Sequence, residues 1–179
     1  MKDMGEAEII LGIRIKRVKG GLALTQSDYT ENVLKKFNYF DCHPVSTPYY
    51  SSTQVFPNTG KPKSQLEYSK VIGSLMYAMT STRPDIAFAV GKLSRYTSNP
   101  SMQHWQAIHR VLRYLKGTTN FGLVYSDFSS VIERFSDASW ISNEEDHSST
   151  SGWVFLLGGG AISWASKKQT LHHQFYDGI

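Results

Sequence analysis

Asp137 stands inside Phe135-Ser136-Asp137-Ala138-Ser139-Trp140, a run that reads as part of a β-strand from Val131 to Trp140. A carboxylate in the middle of a strand is unfavourable unless it is exposed or holds a cation, so Asp137 is either a solvated position or one ligand of a metal ion. The other acidic group, Glu144-Glu145-Asp146, is consecutive. Its side chains therefore point in different directions, as in a solvated acidic loop rather than a metal cluster. His172-His173 has no third ligand at helical or loop spacing and reads as part of a tail. The lone Cys42 excludes an internal disulfide and reads as a thiol beside a loop. Cations offer a different chemistry. His109, Arg110, Arg113 and Lys116 have the spacing of one helix face, opposite an apolar stripe, where they either track a phosphate backbone or form a solvated polar surface. Arg14 and Lys16 make a second basic surface, on the outer side of a hairpin.

These groups need scaffolding elements. Ile9, Leu11, Ile13 and Ile15 alternate with Arg14 and Lys16, the period of a strand with one buried face. Gly20-Gly21 then permits a reversal into Leu22-Ala23-Leu24-Thr25. Asp28 and Glu31 have capping-box-like spacing ahead of the stripe Tyr29, Val33, Leu34 and Phe37, which predicts a helix ending near Phe40. Pro44, Pro48, Pro57 and Pro62 interrupt the stretch 42–64, where no apolar period survives and a surface linker is expected. Helical spacing resumes at Tyr68, Val71, Ile72, Leu75, Met76 and Met79, and Pro84 suits the first turn of a further helix through Ile86, Ala89, Val90, Leu93 and Tyr96. After the Asn99-Pro100 break, His104, Ala107, Ile108, Val111, Leu112 and Leu115 mark a third such helix ending at Gly117. Trp153 to Leu157 and Ala161 to Ala165 form a hairpin across Gly158-Gly159-Gly160.

Charge divides the chain. The whole carries +4, but residues 1–126 hold 16 Lys/Arg against 8 Asp/Glu, whereas residues 127–179 hold 3 against 7. A basic body attracts phosphate through counterion release, and an acidic segment suits divalent cations or is simply solvated. With 179 residues, 40% of them hydrophobic, the chain can bury a core of one or two domains. No run of about 18 apolar residues occurs, and the charged start Met1-Lys2-Asp3 leads into no apolar segment. These features argue against a membrane partner or a secretory route and favour an intracellular protein, cytoplasmic or nuclear.

Val71-Ile72-Gly73-Ser74-Leu75-Met76-Tyr77, Thr82-Arg83-Pro84-Asp85-Ile86-Ala87, Ser94-Arg95-Tyr96 and Leu112-Arg113-Tyr114-Leu115-Lys116-Gly117-Thr118 stand in the order seen in copia-type retrotransposon Pol polyproteins. The segment from Asp137 through Ser149-Thr150-Ser151-Gly152 to Gly158-Gly159-Gly160 and Lys167-Lys168-Gln169 resembles the opening of their ribonuclease H domain. The resemblance covers nearly the whole chain up to Gln169. It implies a reverse transcriptase tail joined to the start of a ribonuclease H domain, with Asp137 as the first metal-binding carboxylate and Mg²⁺ or Mn²⁺ as the parent family's cofactor.

Hydrolysis of the RNA strand of a hybrid needs two cations roughly 4 Å apart, held by several converging carboxylates. After Thr170 the sequence departs from the family, and Asp177, near the position of an expected Glu, lies too close to Ile179 to be held on a formed helix. No Tyr-x-Asp-Asp stretch, the family's polymerase motif, occurs. The resulting expectation is an α+β chain in four parts: 1–41, the end of the palm and start of a thumb-like segment; 42–65, a linker; 66–126, a helical connection-like segment; and 127–179, a truncated ribonuclease H-like antiparallel sheet. Such a chain is expected to bind no metal productively and to catalyse neither reaction. Its partners would be RNA–DNA hybrid or duplex nucleic acid and other parts of the retroelement polyprotein. A domesticated nucleic-acid-binding or protein-interaction module is the alternative. Without its packing helix, the terminal sheet is expected to expose an apolar face containing Trp153 or Trp164.

Overall fold

The computed structural model describes residues 5–50, 55–126, 131–143 and 148–169. Two antiparallel sheets and a set of packed helices make a mixed α and β architecture. The first sheet has the order β1 (Ile9–Ile10), β2 (Ile13–Val18), β3 (Gly21–Thr25) and β4 (Gly122–Tyr125). The alternation from Ile9 to Ile15 predicts one strand, but the chain reverses at Leu11-Gly12, where φ is 50° and 73°. Two successive positive φ values are the mark of a two-residue hairpin turn, and the side-chain period on either side of such a turn mimics a continuous strand. The Tyr77 hydroxyl donates to the Leu11 carbonyl and ties this turn to the helical body. The next reversal is the expected one, with Gly20 at φ 74°. A β-carbon at Gly21 would lie 1.8 Å from the Tyr125 carbonyl oxygen, because β4 runs alongside. The sequence reading contained no strand at β4.

Helix α1 spans Ser27–Lys36. The expected cap at Asp28 is not formed: Gln26 is the N-cap and makes no side-chain bond to the helix's first turn, and Asp28 turns instead to Arg14 at 2.6 Å. The helix also stops short of Phe40. Asn38 adopts φ 61°, the Asn38 amide donates to Lys35 O at 3.2 Å and the Tyr39 amide to Leu34 O at 2.7 Å. That pair of bonds is a Schellman ending, which Asn tolerates better than most residues.

Helices α2 (Gln65–Ser81), α3 (Ala87–Ser94) and α4 (Met102–Gly117) follow the apolar periods, and Pro84 opens a 3-10 turn, Pro84–Ile86, between the first two. Ser101 caps α4: its hydroxyl accepts from the His104 amide, and His104 Nδ1 accepts from the Ser101 amide at 2.8 Å. Leu34, Tyr68, Leu75, Ile86, Leu93, Ile108 and Leu112 meet in one cluster that all four helices and the 3-10 turn enter. Burying a side chain of this size contributes about 1.5–3 kcal/mol. The stretch read as a surface linker joins in. Val55 is buried in the cluster, Tyr96 Oη donates to its carbonyl at 3.0 Å, and Trp105 Nε1 donates to Lys63 O at 2.9 Å. It is held by isolated anchors rather than by a continuous face, so no period marks it.

The second sheet has the order β5 (Glu133–Asn143), β6 (Ser148–Leu157) and β7 (Gly160–Lys168), with Gly158-Gly159 at φ 57° and 77° in the final turn. Trp164 does not lie on an open face as expected. It is half-buried, and its indole donates to Met79 O at 2.9 Å on α2. Tyr125 Oη donates to Ala161 O at 2.6 Å and the Ser126 amide to Gly158 O at 3.0 Å, joining the sheet to β4.

Candidate functional site

Helix α4 presents Gln103, Gln106, Arg110 and Arg113 at intervals of three and four residues, hence along one stripe. This stripe is not an open surface, because residues 40–50 lie across it. Arg110 Nη2 donates to Thr47 Oγ1 at 2.7 Å and its guanidinium stacks on Tyr50, 3.2 Å from the ring centroid. Arg113 Nε donates to His43 O at 2.8 Å, and Lys116 Nζ sits 4.2 Å from the Phe40 ring centroid. Gly117 completes the fit: a β-carbon there would come within 3.0 Å of Pro44 Cβ. Among the described residues, Arg110, Arg113 and Lys116 make no ion pair with a carboxylate, whereas Arg14, Arg17 and Arg83 each do. His109 contributes less charge than expected. It packs between Tyr39 and Trp105, and burial pushes its imidazole below the ordinary pKa of 6.5.

On the hairpin, Arg14 and Lys16 share one face of β2. Arg14 is committed to Asp28 through Nε at 3.2 Å and Nη2 at 2.6 Å, leaving the exposed Lys16 as the cation of this pair without a carboxylate among the described residues.

Asp137 is exposed on β5, opposite Gly152 of β6, which is in turn opposite Ser166 of β7. It lines an open groove of about 350 Å³ with Asp85, Phe88 and Trp164. Asp85 is not available as a second metal ligand. Arg83 Nε donates to Asp85 Oδ1 at 2.9 Å, Arg83 Nη2 donates to Oδ2 at 2.7 Å, and Tyr114 Oη donates to Oδ2 at 2.8 Å. Among the described residues no three His, Cys, Asp or Glu side chains gather into a metal-binding group, so these residues do not fit a two-cation centre. Glu144, Glu145, Asp146, His172, His173 and Asp177 lie outside the described residues.

The Asp85 network is the feature that sequence reasoning missed, although its residues belong to two of the family blocks. Arg83 is almost fully buried, and besides Asp85 it reaches Thr118, through Nη1 to the carbonyl at 3.0 Å and Nη2 to Oγ1 at 2.6 Å. Thr82 Oγ1 donates to Gln26 Oε1 at 2.9 Å. The blocks Thr82 to Ala87 and Leu112 to Thr118 thus lock the C-terminal ends of α2 and α4 together beside the start of α1. Burial opposes ionisation of Asp85, but the hydrogen bonds and charge of Arg83, with the Tyr114 hydroxyl, outweigh it and hold the carboxyl below its usual 3.8. An Arg two residues from an Asp, with Tyr and Thr at an i,i+4 spacing on another helix, was the available signal.

Comparison with known proteins places this scaffold. No family model matches the chain, and no solved structure matches it. It is 42% identical over 178 residues to the retrovirus-related Pol polyprotein from transposon TNT 1-94 of Nicotiana tabacum, covering 94% of this chain and 13% of the polyprotein. It is 40% identical over 171 residues to the Pol polyprotein from transposon RE1 of Arabidopsis thaliana, covering 94% of this chain and 12% of that one. An uncharacterized mitochondrial protein of Arabidopsis thaliana is 35% identical over 170 residues, which span 94% of this chain and 70% of the relative. The chain therefore spans about one eighth of the polyproteins it matches and, with identity running through nearly its whole length, belongs to the copia-type retrotransposon Pol polyprotein family.

Proposed function

We propose that this chain corresponds to the junction of reverse transcriptase and ribonuclease H in a copia-type polyprotein, with β5 to β7 as the opening strands of a ribonuclease H-like domain, and that by itself it is not catalytic. The observation that carries the reading is the setting of Asp137: an exposed strand carboxylate whose acidic neighbour in the groove is already committed to Arg83. Mg²⁺ or Mn²⁺ would act in the parent polyprotein once further carboxylates converge on Asp137. No step through a metal follows from the described residues alone. The other parts of the polyprotein are the protein partners of this reading, and its compartment is intracellular, cytoplasmic or nuclear. Among the described residues no helix is long and apolar enough to cross a membrane. Purified chain supplied with Mg²⁺ or Mn²⁺ is expected neither to cleave the RNA strand of a hybrid nor to extend a primer. Turnover that disappears in Asp137→Asn would overturn the reading.

A second reading is nucleic-acid binding by the basic face of α4, favoured by the lack of carboxylate partners for Arg110, Arg113 and Lys116 among the described residues. Adjacent cations without counter-charges attract phosphate, whether in an RNA–DNA hybrid or in duplex nucleic acid, and Lys16 and Arg14 would add to the field. Affinity is then expected to fall steeply with salt and to depend little on sequence. Reversing charge in Arg113→Glu/Lys116→Glu should weaken every complex alike and flatten the salt slope by about one unit per lost phosphate contact. Unchanged binding by the double variant would reduce the face to a solvated surface.

A further inference from the structure

Between α4 and residues 43–50 lies a pocket of about 420 Å³ lined by Tyr49, Tyr50, Gln103, Gln106, Arg110 and Arg113 together with Ala107 and His109. Among the described residues its wall holds two guanidinium groups, two side-chain amides, two phenol rings and one imidazole, and no carboxylate. Tyr49 is anchored by an edge-to-face contact with Phe88 of α3, centroids 5.7 Å apart, and burial pushes its hydroxyl up to a pKa of about 12. Tyr50 is different. Arg110 backs one side of its ring, yet the residue remains 54% exposed.

Hydrogen bonding leaves donors unused in this pocket. Arg110 spends Nη2 on Thr47, while its Nε is buried with no partner among the described residues. Among the described residues Arg113 uses Nε alone, on the His43 carbonyl, so its two terminal nitrogens are available to a ligand. Like charges without compensation cost stability, and an anion entering the pocket would offset them and accept from the Arg113 terminal nitrogens.

We infer that this pocket takes one unpaired nucleotide of a single-stranded nucleic acid: the base stacks on Tyr50, the amides of Gln103 and Gln106 meet its edge, and Arg110 and Arg113 hold its phosphate. The inference rests on the nucleic-acid-binding reading of α4 and narrows it. A base inside a duplex has both faces covered by its neighbours and cannot stack on Tyr50, whereas a single strand offers free base faces at little cost. Arg behind the ring strengthens the platform through cation–π attraction. The strand would be DNA or RNA, since nothing in the pocket selects the sugar.

The test measures fluorescence anisotropy of a labelled oligothymidylate, and of the same strand annealed to its complement, at low salt with the full chain. The single strand is expected to bind about tenfold more tightly than the duplex, in line with the worth of base–aromatic stacking. Tyr50→Ala should remove about that factor for the single strand and leave duplex binding unchanged, while Tyr50→Phe should retain it. Tyr50 is outside the buried cluster, so the fold survives either change. Equal affinity for the two forms, or single-strand binding indifferent to Tyr50→Ala, overturns the inference. If Tyr50→Ala is silent but Arg113→Glu/Lys116→Glu abolishes binding, the broader basic-face reading stands and the pocket is not the site. Absence of binding to either form at low salt overturns both.

Discussion

Arg83 and Asp85 show what two residues of a family block do physically. The Arg83 side chain is 1% exposed and that of Asp85 29%, so the pair sits at the edge of the core and both groups depend on each other for solvation. Removing one partner of such a pair strands the other charge, whereas replacing both with apolar groups removes the problem. Arg83→Met is therefore expected to lower unfolding stability by about 3 kcal/mol, the low end for a buried pair, because Asp85 can draw on water and on Tyr114. The double variant Arg83→Met/Asp85→Leu should be less destabilised than either single variant in denaturant titrations, and a strictly additive double would sink this account. The pH dependence has a defined sign. Because the carboxyl of Asp85 is held below 3.8 in the folded chain, the unfolded chain binds the extra proton first as acid is added. Its contribution is complete above 3.8 and is lost as pH falls through the folded value. The stability gap between the parent and Asp85→Asn should accordingly narrow below pH 3.8.

At the level of elements, what could be read in advance depended on whether the stabilising interactions were local. Helices α2 to α4 follow a 3.6-residue apolar period and have Pro84 and Pro100 at their boundaries, so their positions were legible. Strand β4 was not. Gly122–Tyr125 is four residues long and is a strand only because β3, nearly a hundred residues earlier, offers an edge in register, Leu24 opposite Leu123. The Leu11-Gly12 reversal was hidden for another reason. Leu rarely adopts positive φ, so the dipeptide carries none of the usual Asn-Gly or Asp-Gly signal, and the Tyr77 bond that holds it comes from α2. The end of α1 at Asn38 was within reach, since Asn is the common substitute for Gly at that position, but Phe37 and Phe40 extended the apolar stripe past it. The candidate site divides the same way. The spacing of Arg110, Arg113 and Lys116 on one face was readable, whereas the Tyr50 ring, the Thr47 hydroxyl and the His43 carbonyl that cover this face come from a stretch with no period at all.

On the scale of the whole molecule, two bodies of unequal strength share the chain. The helical body and its cluster hold nearly all the fully buried large side chains, while the β5 to β7 sheet contributes Ala161 alone to the buried hydrophobic residues among those described. Among the described residues, hydrogen bonds fasten the sheet through Trp164 to Met79, Tyr125 to Ala161 and Ser126 to Gly158, and β7 also packs against α3. Local opening follows the density of buried apolar contacts, so amides of β5 to β7 should exchange with solvent faster than those of α4. Trp164 is the test of how the two bodies are joined. Trp164→Ala removes the indole that meets α2 and leaves the sheet's own hydrogen-bond ladder intact, because Val154 and Trp164 are paired through the backbone. Hydrogen exchange read by mass spectrometry should then show faster exchange across β5 to β7 and unchanged protection in α4. Equal acceleration in α4 would mean that sheet and helices open as one cooperative unit, and a sheet that exchanges more slowly than α4 in the parent would place the stable core on the other side of Tyr125.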